Sequence, residues 1–229
     1  MTPTRRALRS LSTVLIISGV LMLADAGLTL VWQEPLSAVY ASIVQGGLND
    51  DLRKLEAARA NALDLAALRK LATEKRRMAF LARRLRADLD PGDAAGAIKI
   101  ERIKLDKVIV HGSDPDSLRK APGIYDDVPF PGMPGTTAIA GHRTTYGAPF
   151  RKVDKIRRGD DVVIEMPYGT FTYEVEKTQI VKPTALEVIR RVSYDRLVLS
   201  ACHPLYSAAK RIIVFARLVG AQARGAARD

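Results

Sequence analysis

A change in residue pattern near position 98 divides this chain of 229 residues into two parts of different architecture. Residues 48–89 contain neither glycine nor proline, whereas the chain after residue 98 consists of short apolar runs punctuated by both. Glycine and proline interrupt helices and mark turns. The pair Pro91-Gly92 therefore ends a helical segment, and a β-rich domain is predicted to follow it.

The β-rich domain is predicted from about eight short runs of β-type composition. They are Ile100–Leu105, Lys107–Val110, Thr136–Ala140, Asp161–Met166, Thr170–Glu176, Ile180–Val181, Leu197–Ala201 and Ile212–Leu218. Turn signals separate the runs, and two short helices are expected near Ser117–Lys120 and Pro149–Val153. So many short strands in so short a segment favour a mainly β fold, either a small barrel or a sandwich.

The N-terminal part contains a candidate membrane anchor. Residues 1–10 form a basic tail, and the apolar segment 11–32 follows it. About 20 apolar residues are enough to span a bilayer. Arginines on the N-terminal side alone place the tail in the cytoplasm and the rest of the chain outside, with Trp32 at the outer interface. A removable signal peptide cleaved near Ala24 is the alternative, but the apolar run continues beyond that point and favours an uncleaved anchor.

Residues 33–96 are predicted to form a helical spacer and linker. Leucines recur within residues 48–89 mostly at spacings typical of an amphipathic helix or a coiled coil. A rise of about 1.5 Å per residue gives such a helix a length of roughly 60 Å. It is expected to hold the β domain away from the membrane, and pairing with a second copy is a further option. Residues 220–229 are predicted to be a disordered tail.

The chemistry is expected at Cys202, which is the only cysteine of the chain. A single cysteine excludes an intramolecular disulfide and a multi-cysteine zinc site. Cys202 ends one apolar run and Arg211 begins the next, so both face one cleft if these strands are neighbours. The thiolate is the nucleophilic form of cysteine, and a nearby cation favours it. A solvated arginine at a strand end is the alternative interpretation of Arg211.

Two histidines differ in their relation to that thiol. His142 follows a predicted strand and the flexible Gly141, where it is either a catalytic group or a hydrogen-bonded residue at a barrel rim. His203 is adjacent to Cys202, but neighbours on an extended chain point to opposite faces. His203 is therefore a poor base for the thiol and is expected to be structural or at the pocket rim.

Taken together, these residues resemble the sortase pattern over roughly residues 98–218. The resemblance is carried by Thr137–Arg143, Leu199–Cys202 and Arg211–Val214, in the order of the family. Sortases are membrane-anchored cysteine transpeptidases of Gram-positive bacteria. The triplet Cys202-His203-Pro204 is most similar to class E sortases.

This resemblance implies an eight-stranded sortase-type β-barrel over residues 97–219, preceded by the transmembrane helix and the long amphipathic helix. It implies that His142, Cys202 and Arg211 are catalytic. The predicted substrate-binding residues are Ser200, Ala201, His203 and Arg143.

The implied reaction cleaves a Leu-x-x-Thr-Gly-like C-terminal sorting signal, with Leu-Ala-x-Thr-Gly favoured, through a thioester. The protein is then transferred to an amine of a lipid-linked cell-wall precursor, or of a pilin. The expected partners are sorting-signal-bearing surface proteins or pilins, and no metal or organic cofactor is required. The chain departs from the family before the cysteine, where Val198 and Ala201 replace two usual threonines, and this affects the expected sorting motif.

Four other functions fit the sequence less well than a sortase-type transpeptidase. A pilin-polymerising sortase often has an aromatic lid after an Asp-Pro pair, but Pro91 is followed by Gly92. An L,D-transpeptidase needs a glycine directly before its cysteine, where this chain has Ala201. A membrane-tethered coiled-coil adaptor with a partner-binding β domain does not explain an exported free thiol. The net charge of +11 suits an anionic partner, but the predicted location of the domain outside the cell disfavours nucleic acid as that partner.

Overall fold

The computed structural model describes residues 3–31, 35–58 and 62–228. Four helices come first: α1 (Pro3–Val31), α2 (Pro35–Ala57), α3 (Ala62–Leu68) and α4 (Glu74–Asp88). The prediction of one long helix through residues 48–89 is therefore wrong. Helix α4 has its own start, because the Thr73 side chain caps it by accepting a hydrogen bond from the backbone N–H of Arg76 at 3.3 Å.

The second part of the chain is a closed barrel of eight strands, as predicted. The strands are β1 (Ala94–Ile100), β2 (Leu105–His111), β3 (Gly123–Ile124), β4 (Thr136–Ala140), β5 (Asp161–Met166), β6 (Gly169–Val181), β7 (Arg196–His203) and β8 (Lys210–Ala223). Their order around the barrel is β1-β2-β3-β4-β7-β8-β6-β5. The pairs β2–β3 and β4–β7 are parallel, and the others are antiparallel.

Strand boundaries differ from the predicted runs in three places. The predicted run Ile100–Leu105 is the turn between β1 and β2, where Lys104 has a left-handed φ of 55°. The runs at 170–176 and 180–181 are one strand, β6, with pairing irregularities that interrupt its pattern. Strand β3 was not predicted because it has only two residues. The predicted helix near residue 117 is α5 (Pro115–Lys120), and the second lies slightly later, as a 3₁₀ turn at Val153–Lys155.

The C-terminal residues complete the barrel, so the prediction of a disordered tail at 220–229 is wrong. Strand β8 continues to Ala223, which pairs with Gly169 at the start of β6. A 3₁₀ turn, Gly225–Ala227, follows, and Ala227 is fully buried. The side chain of Arg77 on α4 donates from Nε to the carbonyl oxygen of Ala227 at 2.8 Å. Helix α4 and this turn together close one end of the barrel.

Helix α2 lies on the outside of the barrel, so the prediction of a spacer is also wrong. Its buried residues Leu48 and Leu52 pack with Val108 and Val110 of β2 in a small cluster separate from the barrel core. The leucine periodicity attributed to a coiled coil therefore reflects burial against the protein's own barrel. Because a β-strand alternates its faces, β2 contributes side chains both to the core and to this outer cluster.

Helix α1 contains the apolar segment. Residues Leu8–Gly27 have a mean hydropathy of 1.7, and none of this window is buried by the rest of the protein. The helix is thus long and apolar enough to cross a bilayer, and it fits a single-pass anchor. The predicted anchor residue Trp32 lies outside the described residues.

Candidate active site

A cleft of about 440 Å³ opens at the edge of the barrel where β4 and β7 end and β8 begins. Three predicted catalytic residues, His142, Cys202 and Arg211, line it together. The remaining lining residues come from α5, the loops and the strand ends: Ser113, Pro115, Leu118, Arg119, Tyr125, Ala140, Gly141, Tyr146, Ser200 and Ala201.

The pairing of β7 with β8 brings the thiol to the guanidinium. Cys202 and Arg211 are directly opposite each other in this antiparallel pair. Side chains of directly opposed residues lie on the same face, with Cβ atoms about 4.5–5.5 Å apart. The register therefore places the Cys202 and Arg211 side chains on the same face as neighbours, although they are nine positions apart in sequence.

The parallel pairing of β4 with β7 brings His142 to the same edge. Ala140 is level with Ser200, and the N–H of Gly141 donates to the carbonyl oxygen of Ser200 at 3.1 Å. His142 lies two residues beyond Ala140, just as Cys202 lies two residues beyond Ser200. Parallel strands end at the same side of a sheet, so both side chains reach the cleft.

Gly141 is required for packing. A Cβ atom at this position would lie 2.6 Å from Cδ2 of Phe150. Phe150 is fully buried, and its N–H donates to the carbonyl oxygen of His142 at 2.9 Å. The glycine thus lets the Phe150 ring support the backbone that carries His142.

The imidazole of His142 lies in a partly buried, cationic environment. Burial lowers its pKa below the usual value, and the positive charge of Arg119 on α5 lowers that pKa further. The Tyr146 ring is close, with a centroid separation of 5.1 Å and a tilt of 48°. At neutral pH this environment favours the neutral imidazole, which can accept a proton.

Arg211 keeps its positive charge available to the cleft. Its Nη1 donates to the carbonyl oxygens of Ala208 at 2.9 Å and Lys210 at 3.1 Å. Those carbonyls orient the guanidinium but do not neutralise it, and no carboxylate among the described residues forms an ion pair with it. An anion or a polarised carbonyl in the cleft would therefore find an unpaired cation.

The structure separates the four predicted substrate-binding residues into two pairs. Ser200 and Ala201 line the cleft, although both are largely buried in β7. Arg143 and His203 are not among the lining residues. Arg143 is only 4% exposed, and its guanidinium contacts internal groups: Asp154 at 2.8 Å, the carbonyl oxygens of Cys202 and Arg151, and the His203 ring at 3.4 Å. Arg143 thus joins the end of β7, at the Cys202 carbonyl, to the segment that carries Arg151 and Asp154.

Sequence reasoning missed two polar residues of the cleft, Arg119 and Tyr146. Arg119 is on α5, whose start is signalled by the cap Asp114 followed by Pro115. Tyr146 has a left-handed φ of 51°, which is uncommon for a non-glycine residue. A hydrogen bond to Tyr146 raises the pKa of Arg119. No motif in the sequence brings these two residues together; only the fold does so.

Comparison with known proteins agrees with this geometry. The family model for the sortase domain matches residues 98–219, and the chain belongs to the sortase family. Sortase D of Bacillus subtilis is 34% identical over 134 residues, which is 57% of this chain and 66% of that protein. Sortase SrtE1 of Streptomyces coelicolor is 29% identical over 94 residues, or 37% of this chain and 27% of that protein. The chain thus spans less than two thirds of the length of these curated relatives.

Solved structures lead to the same family. Sortase E of Streptomyces avermitilis has a TM-score of 0.54 and 31% identity, covering 61% of this chain and 99% of that one. A sortase D5 transpeptidase of Clostridium perfringens has a TM-score of 0.55 and 25% identity, covering 64% and 99%. The family and the barrel expected from the sequence are confirmed, and the similarity extends to both class D and class E. Sortases are a family of cysteine transpeptidases.

Proposed function

We propose that this protein is a membrane-anchored cysteine transpeptidase. It cuts the C-terminal sorting signal of a substrate protein and joins that substrate to an amine. One observation carries the proposal. Cys202 and Arg211 are opposed on neighbouring strands, and His142 is level with them on the parallel neighbour, so that all three line one cleft. A nucleophile, a base and a cation in one cleft are the parts that acyl transfer needs.

In the first half-reaction, the sulfur of Cys202 attacks the carbonyl carbon of the scissile peptide bond. His142 takes the thiol proton, which its lowered pKa allows because the imidazole is neutral. The guanidinium of Arg211 stabilises the negative charge on the carbonyl oxygen. When the C–N bond breaks, His142 returns the proton to the leaving amine, and a thioester on Cys202 remains.

In the second half-reaction, an acceptor amine attacks the thioester carbonyl. The amine loses a proton to His142, the C–S bond breaks, and the sulfur leaves as the thiolate, which recovers the proton. The product is a new amide, so the reaction exchanges one amide for another and needs no oxidant or cofactor. The open cleft is compatible with sequential entry of two peptides.

The substrates follow from the family and from the anchor. The donor is a protein with a Leu-x-x-Thr-Gly-like signal, with Leu-Ala-x-Thr-Gly favoured, and the acceptor is the amine of a lipid-linked cell-wall precursor. Helix α1 serves as a single-pass anchor with the catalytic domain outside the cell. Both substrates are then at the membrane surface, where the enzyme is held.

The test uses the full chain in detergent micelles, incubated with a Leu-Ala-x-Thr-Gly peptide and an amine. Intact-mass spectrometry is expected to show a thioester adduct on Cys202 and an amide product, both absent in Cys202→Ala. Cysteine-accessibility labelling of cells is expected to place Cys202 outside. No adduct from a panel of sorting peptides, together with a wall partner that binds wild type and Cys202→Ala equally, would support a non-enzymatic adaptor instead.

A further inference from the structure

The start of helix α2 contacts the loop that follows His142. The loop in question, residues 144–149, follows His142 and contains Tyr146, Gly147 and Ala148. All three have left-handed φ values, of 51°, 72° and 41°. A non-glycine residue in this conformation costs of order 1 kcal/mol or more, so contacts elsewhere must hold it.

Two contacts from α2 hold this loop. The ring of Tyr40 meets the ring of Tyr146 edge to face, with centroids 6.4 Å apart. Ala41 is against Gly147, where a Cβ atom would come within 2.8 Å of the Ala41 methyl group. The Tyr146 ring in turn contacts His142 at 5.1 Å. An aromatic column thus runs from the helix that follows the candidate anchor to the catalytic histidine.

The side-chain amide of Gln45 fixes the position of α2 along strand β2. Gln45 is 7% exposed, and its Oε1 accepts from the N–H of Val108 at 3.0 Å, while its Nε2 donates to the carbonyl oxygen of the same residue at 3.4 Å. Strand β3 is too short to pair with this part of β2, so the Gln45 amide satisfies backbone groups that would otherwise be buried without partners. Helix α2 therefore cannot slide along β2 without losing both hydrogen bonds.

We infer that Tyr40 is a positioning residue for the reaction, which orients His142 and limits its access to water by holding Tyr146 in place. The inference rests on the proposed function only in treating His142 as the base. Tyr40 itself lies outside the cleft lining and touches no reacting atom. Its influence is transmitted through Tyr146, and it links the membrane-proximal helix to the reaction centre.

The charged and titratable groups around His142 define the expected pH effect. They are Arg119 from α5, Tyr146 from the loop, Cys202 from β7 and Arg211 from β8. Removing the Tyr40 ring loosens Tyr146 and admits water to the imidazole. The burial that lowers the pKa of His142 then weakens, so that pKa moves up toward its ordinary value. The acid limb of the pH profile of kcat/KM, which requires neutral His142, therefore shifts to higher pH.

The experiment compares Tyr40→Ala, Tyr40→Phe and Ile43→Ala in the full chain in detergent micelles. Phe keeps the edge-to-face contact, and Ile43 is on the same helix but 71% exposed. We expect Tyr40→Ala to lower kcat about fivefold, to change KM less than twofold, and to move the acid limb of kcat/KM to higher pH. Tyr40→Phe and Ile43→Ala should match wild type.

Alkylation of Cys202 by iodoacetamide across pH provides a readout independent of any sorting peptide. Its pH dependence is expected to shift in Tyr40→Ala alone, even if no tested peptide is a substrate. All rates are measured well below the lowest Tm, so that loss of folding does not enter. An unchanged kcat and unchanged pH profiles in Tyr40→Ala would overturn the inference, as would an equal loss in Tyr40→Phe.

Discussion

The two ends of the barrel differ in composition: one is packed with buried apolar side chains, and the other is an open cleft lined by cations. At the closed end, Met78 and Ala82 of α4 are buried against the barrel, and the Tyr168 hydroxyl donates inward to the carbonyl oxygen of Pro131 at 2.6 Å. Burial raises the pKa of Tyr168 well above its usual value. At the open end, by contrast, Arg211 and Arg119 line the cleft. The Tyr168 hydroxyl is thus satisfied inside the protein, whereas Arg211 has no ion-pair partner among the described residues and Arg119 pairs with the exposed Asp116.

This difference separates stability from activity along the barrel. Folding buries the apolar surface at the closed end, and this burial stabilises the native state. Arg211 forms no ion pair among the described residues and so adds little to stability, but it can stabilise a negative charge that appears during the reaction. Substitutions at one end should therefore change the free energy of unfolding, and those at the other should change the rate.

The largest expected effect is on the rate, at Arg211. Arg211→Met removes the cation opposite Cys202 and should lower kcat/KM about 10²–10³-fold, as the loss of an oxyanion donor does in other acyl-transfer enzymes. The Tm should stay close to that of wild type. Lys210→Met is the matched control, because this neighbouring side chain is exposed and does not line the cleft. Equal losses in both variants would mean that general charge, rather than position, matters.

The next effect is on stability, at Met78. Met78→Ala should lower the free energy of unfolding by about 3 kcal/mol, because it leaves a cavity beside the barrel end. Met78 is 4% exposed, and its sulfur is so close to Gly169 that a Cβ there would be at 2.8 Å. Urea unfolding measures the change, with the exposed Lys75→Ala on the same helix as control. A large fall in kcat at unchanged stability would contradict the separation of the two ends.

Asp154→Asn should connect the two properties, with a smaller effect on each. The substitution removes the carboxylate that pairs with the buried Arg143 at 2.8 Å, and a hydrogen bond to a charged group contributes about 2 kcal/mol. The guanidinium of Arg143 also binds the carbonyl oxygen of Cys202, so kcat should fall a few-fold as the nucleophile loses its support. Asp161→Asn, at an exposed carboxylate, is the control. Wild-type unfolding and kinetics in Asp154→Asn would show that the ion pair between Asp154 and Arg143 is dispensable.

How much the sequence could predict depended on the range of the interactions. Continuous apolar runs bounded by turn signals, such as β7, and the residues that follow them were predictable, and so were Cys202 and Arg211 as cleft residues. The docking of α2 was not, because a leucine stripe is the same whether it meets a partner helix or the protein's own barrel. Arg143 is predicted to bind substrate, whereas in the fold it is buried and pairs with Asp154, eleven positions further along the chain.

The smallest expected effect is a pH dependence of stability that arises from His142. Its pKa in the folded protein is lowered by burial first and by Arg119 second, from an ordinary value of 6.5. Below that pH the unfolded chain binds a proton that the folded protein binds less readily, so acidification favours unfolding. The resulting loss of stability begins as the pH falls through about 6.5 and is complete once the folded pKa has been passed.

The measurement compares the Tm of wild type and His142→Gln between pH 8 and pH 5. Glutamine does not titrate, so the Tm of wild type relative to the variant should decrease as the pH falls. Because Arg119 contributes to the lowered pKa, Arg119→Gln should weaken this decrease without abolishing it, since burial remains the larger cause. Parallel Tm curves for wild type and His142→Gln would mean that the imidazole titrates as it does in the unfolded chain. The open end would then lack the partly buried base that distinguishes it from the closed end.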